Sequence, residues 1–114
     1  MPTDIPMELN KALAIIDHFR KIDAEMPTQM AHVFLAVATK PSLSTREIMT
    51  VTELSQSSVS RACQTLSKYH RTGKAGFDLI ESIADPRDTR VLLWGLTPKG
   101  RTLAANIVAS IRGE

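Results

Sequence analysis

A single cysteine, Cys63, excludes an intramolecular disulfide framework in this 114-residue chain and fits a reducing compartment. Five aromatic residues are too few for the stacking platform that single-stranded nucleic acid requires, so duplex is the better candidate among nucleic acids. The sequence shows no signal-peptide pattern and no apolar run long enough to span a bilayer, which predicts a cytoplasmic protein with no membrane partner. His18, His32 and His70 are scattered without metal-ligand spacing, and no second cysteine joins them, so no metal and no cofactor are assigned. Enzyme chemistry finds no foothold either: no nucleophile has a paired base, and Gly73-Lys74-Ala75-Gly76 lacks the remaining spacing of a phosphate loop. The most telling absence is local. Residues 54–77 contain no Asp or Glu but hold four fixed cations, Arg61, Lys68, Arg71 and Lys74, which is the charge pattern a phosphate backbone attracts.

The length suits one domain over residues 1–114, large enough to bury a real core. Net charge is only +2, yet it is unevenly placed: residues 1–45 carry a net −1 and residues 46–114 a net +3.

Helical periodicity opens the chain. Over about residues 6 to 22, Leu9, Ala12, Leu13, Ile16 and Phe19 recur at three- and four-residue steps, and over about 28 to 39 Met30, Val33, Phe34 and Val37 do the same before Lys40-Pro41. Both strips read as core. Ser44-Thr45-Arg46-Glu47 then forms a capping box, flanked by Leu43 and Ile48 at hydrophobic-staple spacing, for a short helix over about 45 to 52. Ser55 caps the next helix, and Leu54 with Val59 repeats the staple, so two helix starts lie eleven residues apart in helix-turn-helix spacing. Glu53 stands in the turn, where a positive φ commonly calls for glycine.

On a helical wheel, Val59, Ala62, Cys63 and Leu66 share one face and Ser57, Ser60, Arg61, Gln64 and Lys68 the opposite one. That outer face is built of donors. Arg61 can pair with guanine and Gln64 with adenine through two parallel bonds, while Ser57 and Ser60 are short enough to let the helix sit deep in a major groove. Ser58, to the side, and Thr45, at the start of the preceding helix, are assigned to phosphate with Lys68, Arg71 and Lys74. An ordinary solvated helix face is the alternative. Cys63 reads as a small buried hydrophobe rather than a redox sensor.

Downstream, residues 78–84 and 90–96 are rich in Ile, Val and Leu and are joined by Asp85-Pro86-Arg87-Asp88, a turn with proline at its second position. A β-hairpin is predicted. Arg87 at its tip and Arg90 behind it are the candidates for a minor groove, with one of the two aspartates orienting an arginine through a bidentate pair; a solvated turn whose charges neutralise one another is the alternative. Trp94 alternates with Leu92 and Leu96 and reads as core. Thr97-Pro98 caps a last helix carrying Leu103, Ala104, Ile107, Val108 and Ile111. The fold class is mainly α with a small β-hairpin wing, a winged helix-turn-helix.

Residues 44–100 resemble the MarR family of bacterial transcriptional regulators. The resemblance rests on Glu47-Ile48, Leu54-Ser55, Val59-Ser60-Arg61, Leu66, Leu79-Ile80-Glu81, and above all Asp85-Pro86-Arg87-Asp88-Thr89-Arg90 followed by Leu96-Thr97-Pro98-Lys99-Gly100. It implies a homodimer held by the terminal helices, for which Leu9, Leu13, Ile16, Leu103, Ile107 and Ile111 are the residues assigned. It further implies recognition helices in successive major grooves of double-stranded DNA, wing arginines in flanking minor grooves, repression of a nearby promoter, and a place at the nucleoid. Related dimers also bind a small-molecule effector, which nothing in this sequence specifies. The competing reading is a winged-helix interaction or assembly module, presented to polymerase or a replication factor, without DNA specificity of its own.

Overall fold

The computed structural model describes residues 6–68 and 75–114. Its elements are α1 (Met7–Ile22), α2 (Thr28–Ala38), β1 (Leu43–Ser44), α3 (Thr45–Thr52), α4 (Gln56–Leu66), β2 (Ile80–Asp85), β3 (Asp88–Leu96) and α5 (Pro98–Arg112). The strands form one antiparallel sheet in the order β1-β3-β2. β1 is absent from the sequence-based expectation because two residues are too short to show a strand period.

The core is centred on α2, a predominantly apolar helix whose Val33, Phe34 and Val37 are fully buried. Ile48 of α3, Val59, Cys63 and Leu66 of α4, and Leu79 and Ile80 at the start of the hairpin close around them. Phe19 of α1 meets Phe34 edge to face, with ring centroids 5.7 Å apart and planes at 79°. α1 is tied to α5 by a 2.7 Å hydrogen bond between His18 Nε2 and Ser110 Oγ.

The strip expected to be core on α1 needs correcting. Leu9, Leu13 and Ile16 are 62%, 61% and 52% exposed, and only Phe19 of that set is buried. The packed stripe is Ile15, Phe19 and Ile22. Both sets have i, i+4, i+7 spacing and lie about 120° apart around the helix, so periodicity alone cannot say which one the protomer covers. On α5 the reverse holds: Leu103 and Ile107, assigned to a partner, are 7% and 4% exposed and belong to the protomer's own core. Ile111 remains outside it, 46% exposed.

Local chemistry sets the helix-turn-helix. The Glu47 N–H donates to Ser44 Oγ and the Ser44 N–H to Glu47 Oε1, each at 3.1 Å, which completes the capping box. Glu53 ends α3 in the left-handed region, φ 58° and ψ 25°, with its N–H donating to Met49 O at 2.8 Å. Buried Thr52 fastens the turn by donating to Ile48 O at 2.7 Å and accepting from the Leu54 N–H at 3.4 Å. Ser55 then receives the Ser58 N–H at 3.2 Å and starts α4.

The hairpin is joined to the end of α4 by main-chain bonds from Leu79 N to Leu66 O (2.8 Å) and Phe77 N to Thr65 O (3.0 Å). Asp78 there has φ 57°, so β2 begins at Ile80 rather than at 78. A close approach fixes the last junction. A Cβ at Gly100 would lie 1.9 Å from Leu79 O, so only glycine lets the first turn of α5 pack onto the base of the wing. Thr97 caps that helix, accepting the Gly100 N–H at 3.0 Å and donating to Asp78 O at 2.6 Å.

Candidate nucleic-acid interface

α4 is placed by its buried face, so its opposite face is outward by geometry. Ser57, Ser60, Arg61 and Gln64, the four residues assigned to bases, line one open groove together with Ser55 and Gln56. Arg61 is exposed. Ser55 Oγ is hydrogen-bonded to the hydroxyls of Ser57 at 3.2 Å and Ser58 at 3.0 Å, which ties the first turn of the helix into a small serine network. Ser58 itself lies to the side, in a cleft shared with Arg61 and with Met30 of α2.

Lys68 requires a correction. α4 ends at Leu66, and Ser67 follows in extended conformation with φ −80° and ψ 172°, so Lys68 is not on the outer helix face. It is exposed, and it borders a groove between α4 and the wing that also holds Gln64, Glu81 and Trp94. Arg71 and Lys74, expected at phosphate, lie outside the described residues.

At the hairpin tip, Asp85 pairs with Asp88 across Pro86-Arg87. Asp85 Oδ1 accepts the Arg87 N–H at 2.9 Å and stands 3.6 Å from Arg87 Nε, with the Arg87 side chain 91% exposed. Asp88 grips Arg90 more fully: Nε to Oδ1 at 3.0 Å and Nη2 to Oδ2 at 3.2 Å, with the Arg90 N–H also on Oδ1 at 3.1 Å. The expected bidentate pair is present, and Asp88 is the aspartate that makes it. The side-chain bonds from Arg90, and after them its backbone N–H, hold the Asp88 carboxyl below its ordinary value, while the same pair raises the guanidinium of Arg90. A register shift beyond Ala84 gives β3 extra residues beside the tip. Such an irregularity re-aims the side chains around it, here including Arg90.

Wing and helix-turn-helix meet in a further open groove, where Arg90 and Leu92 of β3 face Thr45 and Arg46 of α3 and Gln56 of α4. Gln56 therefore borders both this groove and the one with Arg61. Gln56 and Arg46 are absent from the sequence-based candidates. The signal for Gln56 was available, since it is the first residue of α4 and groove-reading helices present their N-terminal residues to base edges. Trp94, half-buried against the core, also does more than pack: its indole N–H donates to Thr45 Oγ1 at 3.2 Å.

Cys63 is fully buried and burial pushes its thiol up to about 12, which fits a packing role. Among the described residues no helix is long and apolar enough to cross a membrane.

These elements define a winged helix-turn-helix. Several solved structures share this fold. MepR of S. aureus, solved as a DNA complex, superposes with a TM-score of 0.72 at 18% identity, over 94% of this chain and 81% of that one. BpsR of Bordetella bronchiseptica, whose DNA binding is regulated by 6-hydroxynicotinic acid, gives 0.59 at 21% identity over 94% and 76%. MarR of E. coli in its apo form gives 0.62 at 14% identity over 89% and 67%. No protein-family model matches the chain, and no curated protein sequence does.

Proposed function

We propose that this protein is a sequence-specific, duplex DNA-binding transcriptional regulator, a binding protein rather than an enzyme, which acts as a homodimer in the cytoplasm and represses a promoter. The observation that carries the reading is the continuity of the outward surface. Gln56 joins the groove of Ser57, Ser60, Arg61 and Gln64 to the groove of Thr45, Arg46 and Arg90, so a helix rich in donors and the Arg90 segment of the hairpin share one continuous surface. α4 would lie in the major groove with Arg61 and Gln64 on base edges, Thr45 and Ser58 on phosphate, and Arg87 and Arg90 in the neighbouring minor groove. The fold's likeness to MepR, which was solved as a DNA complex, supports DNA binding.

A second copy supplies the symmetry. Leu9, Leu13 and Ile16 of α1 and Ile111 of α5 form apolar surface that the protomer leaves uncovered. Dimerisation there would set two recognition helices about one DNA turn apart, matching half-sites about 10 base pairs apart centre to centre. Leu13→Glu should yield monomers on size-exclusion chromatography with light scattering; a variant that stays dimeric would place the interface elsewhere.

The direct test is a mobility-shift titration at two salt concentrations, using duplexes selected from a random pool. Tight binding that weakens steeply with salt, and a selected motif with two-fold symmetry, are expected. A chain without salt-sensitive affinity for any duplex would instead be a protein-interaction module built on the same fold.

A further inference from the structure

Four threonine hydroxyls in this protein share a habit. Thr50, Thr52, Thr65 and Thr102 each donate to the carbonyl four residues earlier, at 3.1, 2.7, 3.1 and 3.2 Å. Thr45 differs. As the first residue of α3 it has no helical carbonyl behind it, and Ser44, not Thr45, serves the cap. Its oxygen accepts the indole N–H of Trp94, across 49 residues of sequence. An indole nitrogen can only donate, and a hydroxyl has one proton and two acceptor positions, so this bond leaves the Thr45 proton uncommitted. Among the described residues no group accepts it, and Thr45 borders the open groove it shares with Arg46, Gln56 and Arg90.

We propose that Trp94 is a positioning residue for DNA: its indole N–H fixes the Thr45 hydroxyl so that the free proton is offered to a backbone phosphate seated between α3 and the wing. The inference rests on the DNA-binding reading above and adds a residue to it. The main chain reinforces the arrangement, because Trp94 pairs with Leu43 and Leu93 with Ser44, which joins β3 to the two residues preceding Thr45. β-branched Thr45 has few side-chain rotamers, so one additional bond suffices to select its orientation. Phenylalanine at 94 would occupy similar space without the donor.

The test is a double-mutant cycle read by fluorescence anisotropy, with wild type, Trp94→Phe, Thr45→Val and the double variant on a labelled duplex selected from a random pool and on an unselected one. Trp94→Phe should weaken binding roughly three- to tenfold, equally on both duplexes, as loss of one hydrogen bond to phosphate requires. In the Thr45→Val background the same change should have no effect, and in a Thr45→Ser background its effect should return. Unchanged affinity for Trp94→Phe, or an equal loss with and without the Thr45 hydroxyl, would overturn the proposal. Should Trp94→Phe fail to fold, Thr45→Val and Thr45→Ser decide the matter: the first must lose affinity and the second keep it, and a valine variant that binds like wild type refutes the role. Wild type that binds no duplex would sink the DNA reading itself, whereas wild type that binds and shows an additive cycle removes only this inference.

Discussion

Asp88 holds Arg90 by two parallel hydrogen bonds of 3.0 and 3.2 Å, and the arginine remains exposed along 88% of its side chain. On the surface proposed to meet phosphate, a carboxylate would be an electrostatic cost, and the pairing suggests what would offset it. Arg90 presents its guanidinium from a defined direction instead of sampling many rotamers.

The sign of one substitution separates this view from simple charge counting. Asp88→Ala removes a negative charge and by Coulomb attraction alone should tighten binding to DNA. Because the wing arginine loses its support, we expect severalfold weaker binding, with Arg90→Ala in the same background adding little. Tighter binding by Asp88→Ala in an anisotropy titration would show that the pair only neutralises the tip.

Arg61 should carry sequence preference. Arg61→Ala is expected to cost about 1 to 3 kcal/mol on the selected site and to blur the motif recovered from a random pool. An unchanged motif would move base reading to the Gln56 end of α4 or to the wing.

Glu53 sits at φ 58°, a conformation that penalises residues with a Cβ. Glu53→Gly should raise stability by about 1 kcal/mol, seen as a higher midpoint in thermal unfolding. A lower midpoint would mean that the Glu53 side chain makes a compensating contribution.

Glu47 gives the fold a pH dependence of known sign. The Ser44 N–H, followed by the Ser44 hydroxyl, holds the Glu47 carboxyl below its ordinary 4.5. A carboxyl depressed in the folded state contributes its stability in full above 4.5 and loses it as pH falls through the lower folded value. Denaturant titrations should show Glu47→Gln with a shallower acid decline than wild type. Ser44→Ala, which removes the other half of the box, should cost about 0.5 to 2 kcal/mol at neutral pH.

Short-range chemistry was what the sequence could express. Ser44, Ser55 and Thr97 announce their helices because a cap and its amide lie three residues apart, and Asp85-Pro86-Arg87-Asp88 announces the hairpin for a similar reason. Long-range pairing left no such mark. Leu9-Leu13-Ile16 and Ile15-Phe19-Ile22 are equally good stripes until α2 and α5 choose between them. β1 exists only because β3 passes beside Leu43 and Ser44. On the candidate surface, Arg61 and Gln64 were legible from the wheel, whereas the bond from Trp94 to Thr45 depends on how the sheet returns to α3.

Amide chemical-shift mapping during titration with a selected duplex would locate the docked face. Perturbations are expected to concentrate on Thr45, Arg46, the outer face of α4 from Gln56 to Gln64, and Arg87 to Arg90, with α1 little changed. Perturbations that instead follow Leu9, Leu13 and Ile16, or that leave both Arg61 and Arg90 untouched, would contradict it.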